Sequence, residues 1–152
     1  MALASDIALL RSVPLFEAMS EEQLRLFAFG ARKRVFREGE TLHEHGRPAE
    51  GGLIVMMGTI GLTDAEGRTR EAEPGELIDE LAMIARRSHR ETAVAIEDGA
   101  VMAIERPLFL RMAEEYPDIV DLVRTRVGER LEALLARVEP VAARLAAIED
   151  KA

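Results

Sequence analysis

The sequence contains no cysteine, no tryptophan and a single tyrosine among its 152 residues. Without cysteine the chain has no disulfide framework, no thiolate metal site and no cysteine nucleophile. No apolar run approaches the ~18 residues that a membrane-spanning helix needs, and no signal peptide precedes the first helical pattern. We therefore expect a cytoplasmic protein without a membrane partner.

Positive charge is also scarce, because 28 acidic residues outnumber 20 basic ones and give a formal net charge of −8. Binding to DNA or RNA needs a basic face for the phosphates, and the few aromatic residues provide no stacking platform for bases. Direct contact with nucleic acid is therefore not expected. The length suits one domain with a proper hydrophobic core.

The local patterns predict helices, then strands, then helices again. Residues 1–30 are predicted to be helical, with a capping box at Ser20-Glu21-Glu22-Gln23. Over residues 31–106, short alternating runs are separated by turn signals every ~8–12 residues, as in all-β barrels. The predicted strands are Arg32–Phe36, Thr41–His43, Gly52–Met57, Thr59–Thr63, Arg68–Glu73, Thr92–Ile96 and Ala100–Glu105. The predicted hairpin turns are Asp64-Ala65-Glu66-Gly67 and Asp98-Gly99.

Residues 107–152 return to helical periodicity. Pro107 suits the first turn of a helix that ends at Tyr116-Pro117, and a long helix is predicted over residues 117–150. Apolar residues recur there at alternating spacings of three and four, which is the seam of a coiled coil and predicts a homodimer. The seam consists of Val127, Leu131, Leu134, Val138, Val141, Leu145 and Ile148. Pro140 is expected to kink the helix near Ala136.

The stretch from Pro74 to Ile96 has the composition of an anion site. Pro74-Gly75 is a turn signal, an apolar helix pattern follows over Leu77–Ile84, and a basic tract then leads into a predicted strand. The unpaired N–H groups of a helix N-terminus and a fixed arginine can bind phosphate oxygens together. A surface helix beside a solvated charge run explains the same residues equally well.

Two sets of motifs give this part of the chain a specific resemblance. Residues 75–83 and 90–94 resemble the phosphate-binding cassette of cyclic-nucleotide-binding domains; they read G-E-L-I-D-E-L-A-M and R-E-T-A-V where the family has G-E-x-F-G-E-L-A-L and R-x-A-T-V. Residues 35–42, 46–50 and 53–58 resemble the family's V-x-x-x-G-E-x-L, G-x-P-A-(D/E) and (L/Y)-I-V-x-x-G patterns. The resemblance implies a mainly β fold with flanking helices, an eight-stranded-type β-roll of the jelly-roll kind, as in catabolite-activator-protein-like regulatory domains.

The same resemblance implies a function. The chain would be a regulatory domain that binds a purine cyclic nucleotide, cyclic AMP in preference to cyclic GMP, and acts as a dimer. Arg90 would clamp the cyclic phosphate and Glu80 the ribose 2′-hydroxyl. The implied ligand-binding residues are Glu80, Leu81, Arg90, Glu91 and Thr92, with Leu77, Ile78, Leu53 and Val55 as apolar walls. Family transcription factors continue into a helix-turn-helix module, so this chain is expected either to act on a partner protein or to be a fragment.

Four positions depart from the family's sequence pattern. Asp79 replaces a glycine, Glu91 replaces a small residue, and Thr92-Ala93 reverse the family's alanine and threonine. A carboxylate ~5 Å from a ligand phosphate would oppose binding by about 3 kcal/mol at an effective dielectric of ~20. Asp79 is expected to occupy the anion site at the helix start, whereas Glu91 is expected to point away from Arg90 and Thr92. The alternative function is a degenerate domain that binds no nucleotide and serves as a dimerisation module.

A metal enzyme is the third hypothesis. His43-Glu44-His45, with Glu50 beyond, resembles the first metal motif of cupins, and alternating histidines on a strand share one face. No counterpart of the second cupin motif occurs, and His89 belongs to the basic tract. We therefore expect neither a bound metal nor catalysis.

Overall fold

The computed structural model describes residues 2–129. Three helices come first, α1 (Ala2–Arg11), α2 (Pro14–Glu17) and α3 (Glu21–Gly30). The strands are β1 (Arg32–Phe36), β2 (Thr41–His43), β3 (Pro48–Ala49), β4 (Gly51–Met57), β5 (Ile60–Asp64), β6 (Thr69–Ala72), β7 (Leu77–Ile78), β8 (Arg87–Ser88), β9 (Glu91–Ala95) and β10 (Gly99–Glu105). A 3-10 helix (Glu80–Met83) lies between β7 and β8. Helix α4 (Arg106–Glu115) and a further helix, α5 (117–129), follow β10.

The strands form two four-stranded antiparallel sheets and a short ribbon. One sheet has the order β1-β10-β4-β7, the other has the order β2-β9-β5-β6, and β3 pairs with β8. The chain belongs to the β-roll, or jelly-roll, class with flanking helices, as the resemblance implied. Within residues 74–96, β7 pairs with β4 of the first sheet and β8 pairs with β3 of the short ribbon.

Alternation along β4 and β10 separates the buried side chains into two cores, because successive side chains of a strand face opposite sides. Val55 and Val101 face the core between the two sheets. Their neighbours Ile54 and Met102 face the helices instead. The cassette contributes side chains to both cores, because Ile78 is buried between the two sheets and Met83 is buried beneath the helices.

The helices are tied to one another and to the first sheet. The predicted capping box is confirmed, with Ser20 Oγ accepting from the Gln23 backbone and Gln23 Oε1 accepting from the Ser20 backbone. Three phenylalanines, one each from α2, α3 and α4, pack ring against ring; they are Phe16, Phe27 and Phe109. The buried Asp6 of α1 pairs with Lys33 of β1 at 2.7 Å, which holds α1 against the sheet.

Several predicted elements need correction. The apolar pattern Leu77–Ile84 is not one helix, because Leu77 and Ile78 pair with β4 and only Glu80–Met83 form a 3-10 helix. Asp98-Gly99 is not a hairpin turn, since β9 and β10 belong to different sheets. Gly99 is needed there because a Cβ atom would collide with the Met57 carbonyl oxygen.

The predicted dimer seam lies almost entirely outside the described residues, which include only Val127 of its members. The expected kink at Pro140 lies outside them as well. Within residues 2–129, no helix has the length and apolar character needed to cross a bilayer.

Candidate functional site

An open cavity of about 980 Å³ lies over the cassette. Its wall is formed by residues 75–77, 79–82 and 87–91, by the β5–β6 hairpin and by the loop before β3. Residues 13–15 and 126 complete the wall. Ligand pockets of small molecules typically enclose ~300–1,000 Å³. The cavity therefore has room for a nucleotide-sized ligand.

The entry into the cassette is a tight turn. Glu76 N donates to Glu73 O at 3.0 Å, with Pro74 and Gly75 in the middle of the turn and Gly75 at φ 91°. Proline followed by a glycine with positive φ is the signature of a type II turn. Gly75 N also donates to Val55 O at 2.9 Å, so the turn is fixed to β4 before the chain reaches the cavity.

Asp79 stands at the family's glycine position and keeps the backbone conformation that a glycine would adopt. Its φ and ψ are 60° and 43°, and it is the one non-glycine residue with positive φ in the described chain. Aspartate tolerates this left-handed region better than most residues, at a cost of roughly 1–2 kcal/mol. The site therefore retains a backbone geometry that suits glycine while it carries a carboxylate.

The Asp79 carboxylate makes no capping hydrogen bond to the 3-10 helix. It turns to the histidines, because His89 Nδ1 lies 2.8 Å from Asp79 Oδ2, and a carboxylate can only accept this hydrogen bond. His43 Nε2 lies 3.8 Å from the same oxygen. The rings of His43 and His89 are stacked, with their centroids 3.6 Å apart and their planes 5° from parallel.

His43 is the most buried member of this cluster. Its side chain is 7% exposed, and neither ring nitrogen has a hydrogen-bond partner of acceptable geometry among the described residues. The pKa of His43 is lowered to about 4, chiefly by burial and also by the nearby His89, while Asp79 and Glu91 oppose the change. His43 is therefore neutral near pH 7. The register of β2 against β9 shifts between Thr41 and His43, and such irregularities redirect side chains at the end of a strand.

Arg90 lies on the cavity wall and is exposed. Of the arginines on this wall, Arg68, Arg70 and Arg126 pair with carboxylates. For Arg87 and Arg90, no ion pair or side-chain hydrogen bond is found within residues 2–129. Two guanidinium groups therefore face the cavity without a competing carboxylate from the described chain.

Glu91 lies on the cavity wall with Arg90, whereas Thr92 does not, so Glu91 is on a different side from Thr92 as expected but not from Arg90. Arg90 is in a bend that precedes β9, and the alternation of a strand does not extend to it. The Glu91 carboxylate is held by Arg70 through two hydrogen bonds of 2.9 Å each. These bonds raise the pKa of Arg70, and they neutralise the carboxylate that the sequence places next to the predicted clamp.

Glu80 connects the cassette to the last described helix. Arg126 of α5 donates from Nε to Glu80 Oε1 at 3.2 Å, and both residues line the cavity. The guanidinium of Arg106 also holds the cassette. It donates to Ala82 O at 3.0 Å and to Ala49 O at 2.6 Å, and so joins the 3-10 helix to β3. No local sequence pattern indicates the partners of these two arginines, which lie 46, 24 and 57 positions away along the chain.

The predicted site residues fall into two groups. Leu77, Glu80, Leu81, Arg90 and Glu91 line the cavity. Thr92 does not line it, and its hydroxyl instead accepts from His45 N at 3.0 Å. The predicted walls Val55 and Ile78 are buried in the core between the sheets, and Leu53 packs against that core. The cupin-like set is divided too: His45 lies on the cavity while His43 stacks on His89, and Glu50 has no place in that cluster.

Comparison with known proteins agrees with this geometry. The family model described as a cyclic nucleotide-binding domain matches residues 33–116. A structure of a cyclic nucleotide-binding-like protein from Brucella abortus is 42% identical, with a TM-score of 0.64, and the match covers 72% of this chain and 97% of that one.

Two more distant relatives share the fold. The cyclic AMP receptor protein of Thermus thermophilus is 26% identical over 133 residues, which are 84% of this chain and 58% of that protein. The regulatory domain of Toxoplasma gondii PKA, solved with cAMP, is 21% identical with a TM-score of 0.70; the match covers 84% of this chain and 50% of that one. The chain thus spans little more than half of the curated receptor. With the fold, the cassette geometry and the family model in agreement, the chain belongs to the cyclic-nucleotide-binding domain family.

Proposed function

We propose that the cavity binds a cyclic nucleotide, cyclic AMP in preference to cyclic GMP, and that the chain is a non-catalytic regulatory domain. The observation that carries this proposal is the position of Arg90 on the wall of the cavity, at the end of the cassette and without an ion pair to a described carboxylate. A guanidinium can bind two phosphate oxygens at once, which suits the cyclic phosphate. The preference for cyclic AMP is supported by the similarity to the cyclic AMP receptor protein of Thermus thermophilus.

The surroundings of Arg90 support the same ligand. Glu80 faces the cavity with a carboxylate that can accept a hydrogen bond from a ribose hydroxyl. Glu91 is occupied by Arg70, so it does not compete with a phosphate for Arg90. Leu77 and Leu81 add apolar surface to the wall, against which a purine ring can pack.

The direct test is calorimetric titration of the purified chain with cyclic AMP and cyclic GMP in buffer containing EDTA. Arg90→Ala and Arg90→Lys should each weaken cyclic AMP binding at least tenfold, because lysine cannot reproduce the bidentate fork and loss of a buried charged partner costs roughly 2–5 kcal/mol. Thermal stability without ligand should stay nearly unchanged, since Arg90 is exposed.

Arg86→Ala is the matched control, because Arg86 is exposed, belongs to the same basic tract and does not line the cavity. It removes the same charge and should leave affinity close to that of the wild type. Binding that survives Arg90→Ala would refute the pocket assignment. Failure of the wild type to bind either nucleotide would favour the alternative, a dimerisation module without a ligand.

We further propose that the domain works as a homodimer through its C-terminal helix and passes its signal to a protein effector. The supporting observation is the alternating apolar seam in the sequence from Val127 to Ile148. Helix α5 is joined to the cassette by the bond from Arg126 to Glu80, so the dimer helix would begin at the ligand site.

A further inference from the structure

The cluster of His43, Asp79 and His89 has no part in the proposed nucleotide contacts. It combines side chains from three separate places, the end of β2, the residue before the 3-10 helix and the residue after β8. All three are largely buried, with side chains that are 7%, 15% and 11% exposed. Two imidazoles and a carboxylate gathered in a buried place are the donors that transition metals prefer.

The spacing of the donor atoms suits one ion. One ligand atom from each residue can be chosen so that all lie within 4.8 Å of one another. Atoms bound to Zn²⁺ at 2.0–2.2 Å are separated by roughly 3.3 Å in a tetrahedral site. The present separations from Asp79 Oδ2, 2.8 Å to His89 Nδ1 and 3.8 Å to His43 Nε2, lie on either side of that value. The rings of His43 and His89 are stacked and parallel, so each ring would have to turn by several tens of degrees before both lone pairs point at one ion, and His89 would exchange its bond to Asp79 for the metal.

His43 provides the second, independent observation. A buried imidazole without a hydrogen-bond partner is destabilising, because its desolvation is not compensated. Nε2 of His43, which faces Asp79, is in this state among the described residues; the Glu91 backbone lies close enough to the ring to act on its pKa, although no hydrogen bond of acceptable geometry forms there. A metal ion at this position would accept the lone pair that no hydrogen bond uses.

The backbone holds the three residues in place. His43 is paired to Ala93 in the sheet, and the turn before Asp79 is anchored to β4. His89 donates from its backbone N to Arg47 O at 2.8 Å and accepts from Gly46 N at 2.9 Å. Ligands fixed in this way lose little conformational freedom when an ion binds.

We propose that His43, Asp79 and His89 form a binding site for a divalent first-row transition metal ion, of which Zn²⁺ is the representative. Asp79 and His89 also line the cavity, whereas His43 lies behind them. Three protein ligands would leave at least one coordination position open for water or for a ligand in the cavity. The two positive charges of the ion would exceed the single negative charge of Asp79, so the loaded site would attract the phosphate that the bare carboxylate repels.

The test uses the whole chain without a polyhistidine tag, stripped with EDTA and dialysed free of it, in the absence of nucleotide. Titration with ZnCl₂ should show one ion per chain by calorimetry, and Co²⁺ should give the visible d–d absorption of a low-coordinate site. At a metal concentration a hundred times Kd, the midpoint of thermal unfolding should rise by about 5–10 °C.

His43→Leu and Asp79→Asn should each lower Zn²⁺ affinity by more than about 100-fold, because even the loss of an outer partner of a metal ligand costs ~10–100-fold. His43→Leu is informative about folding, since an apolar side chain fills the same buried space and the stripped variant should be at least as stable as the wild type. His45→Ala is the matched control, because His45 is exposed on the cavity two residues away and belongs to no such cluster.

Three results would overturn the proposal: no bound ion in the wild type, equal binding by the wild type and His43→Leu, or a loss of binding in His45→Ala. The second of these would identify adventitious binding at the surface. These measurements contain no nucleotide, and the nucleotide titrations contain EDTA. The metal site and the proposed nucleotide function can therefore fail independently.

Discussion

Removing the charge of Asp79 should tighten cyclic AMP binding. The residue lies on the cavity wall at the family's glycine position, with a left-handed backbone and its carboxylate 2.8 Å from His89. Two substitutions separate its effects. Asp79→Asn removes the charge while it keeps a side chain that tolerates positive φ, and Asp79→Gly removes the side chain and relieves the backbone as well.

The magnitude follows from electrostatics. A carboxylate ~5 Å from a phosphate opposes binding by about 3 kcal/mol at an effective dielectric of ~20, which is about two orders of magnitude in affinity. Screening by salt and the hydrogen bond to His89 reduce this value, so we expect a gain of tenfold or more in both variants. The stability changes should differ. Asp79→Gly relieves roughly 1–2 kcal/mol of backbone strain but loses a charged hydrogen bond of about 1.5–3 kcal/mol, whereas Asp79→Asn keeps the strain and retains a neutral hydrogen bond of about 0.5–1.5 kcal/mol.

Calorimetry in EDTA at two salt concentrations gives the assay, because an electrostatic gain shrinks as ionic strength rises. Equal gains in both variants would identify the charge as the cause, and a gain in Asp79→Gly alone would identify the backbone. If both variants bind cyclic AMP with wild-type affinity, the phosphate does not lie near Asp79 and the electrostatic reasoning is wrong.

Other predictions concern the partners of the site. Arg70→Met leaves the Glu91 carboxylate unpaired on the cavity wall, so calorimetry should show cyclic AMP affinity falling severalfold while urea denaturation shows a loss of stability of no more than about 1 kcal/mol; unchanged affinity would place Glu91 away from the ligand. Burial lowers the pKa of His43 to about 4 from an ordinary value of 6.5, so the unfolded state binds more protons between these pH values, and the free energy of unfolding in EDTA should fall as the pH drops from 6.5 towards 4. His43→Leu should flatten that dependence, and an equally steep profile in the variant would assign it to other groups. Replacing Leu134 and Val138 with lysine should convert a dimer to a monomer in sedimentation, and a wild type that is already monomeric at micromolar concentration would contradict the seam.

Local signals determined much of the fold. Strands such as Arg32–Phe36 and Thr41–His43 were predicted with the bounds that the structure has, since β-rich runs there are bounded by turn residues. The capping box at Ser20 was equally legible, because both of its hydrogen bonds join residues three apart. The two-residue strands β3, β7 and β8 were missed, as they are too short for a period of two to appear.

The candidate site was predictable only where it repeats a family motif. The positions of Glu80 and Arg90 on the cavity follow from the cassette pattern. The pairing of Glu91 with Arg70 joins residues 21 apart on different strands, and no local pattern encodes it. The cluster of His43 with His89 arises in the same way, since the sheet brings together the ends of two segments that are distant in the sequence. The sequence suggested His45 as the partner of His43 because that spacing was the visible one.

The cassette is fastened at both ends. Residues 77–78 are bonded to β4, residues 87–88 are bonded to β3, and the segment 79–86 between them closes a short loop whose middle is held by Arg106. Such a loop has few alternative conformations, so its hydrogen-bonded amides, those of Ala82, Ile84 and Ala85, should exchange with solvent more slowly than the amides of a surface loop. Most of the conformational entropy of this segment is therefore lost when the chain folds. A ligand then binds a site whose backbone is already ordered, so binding costs little further conformational entropy.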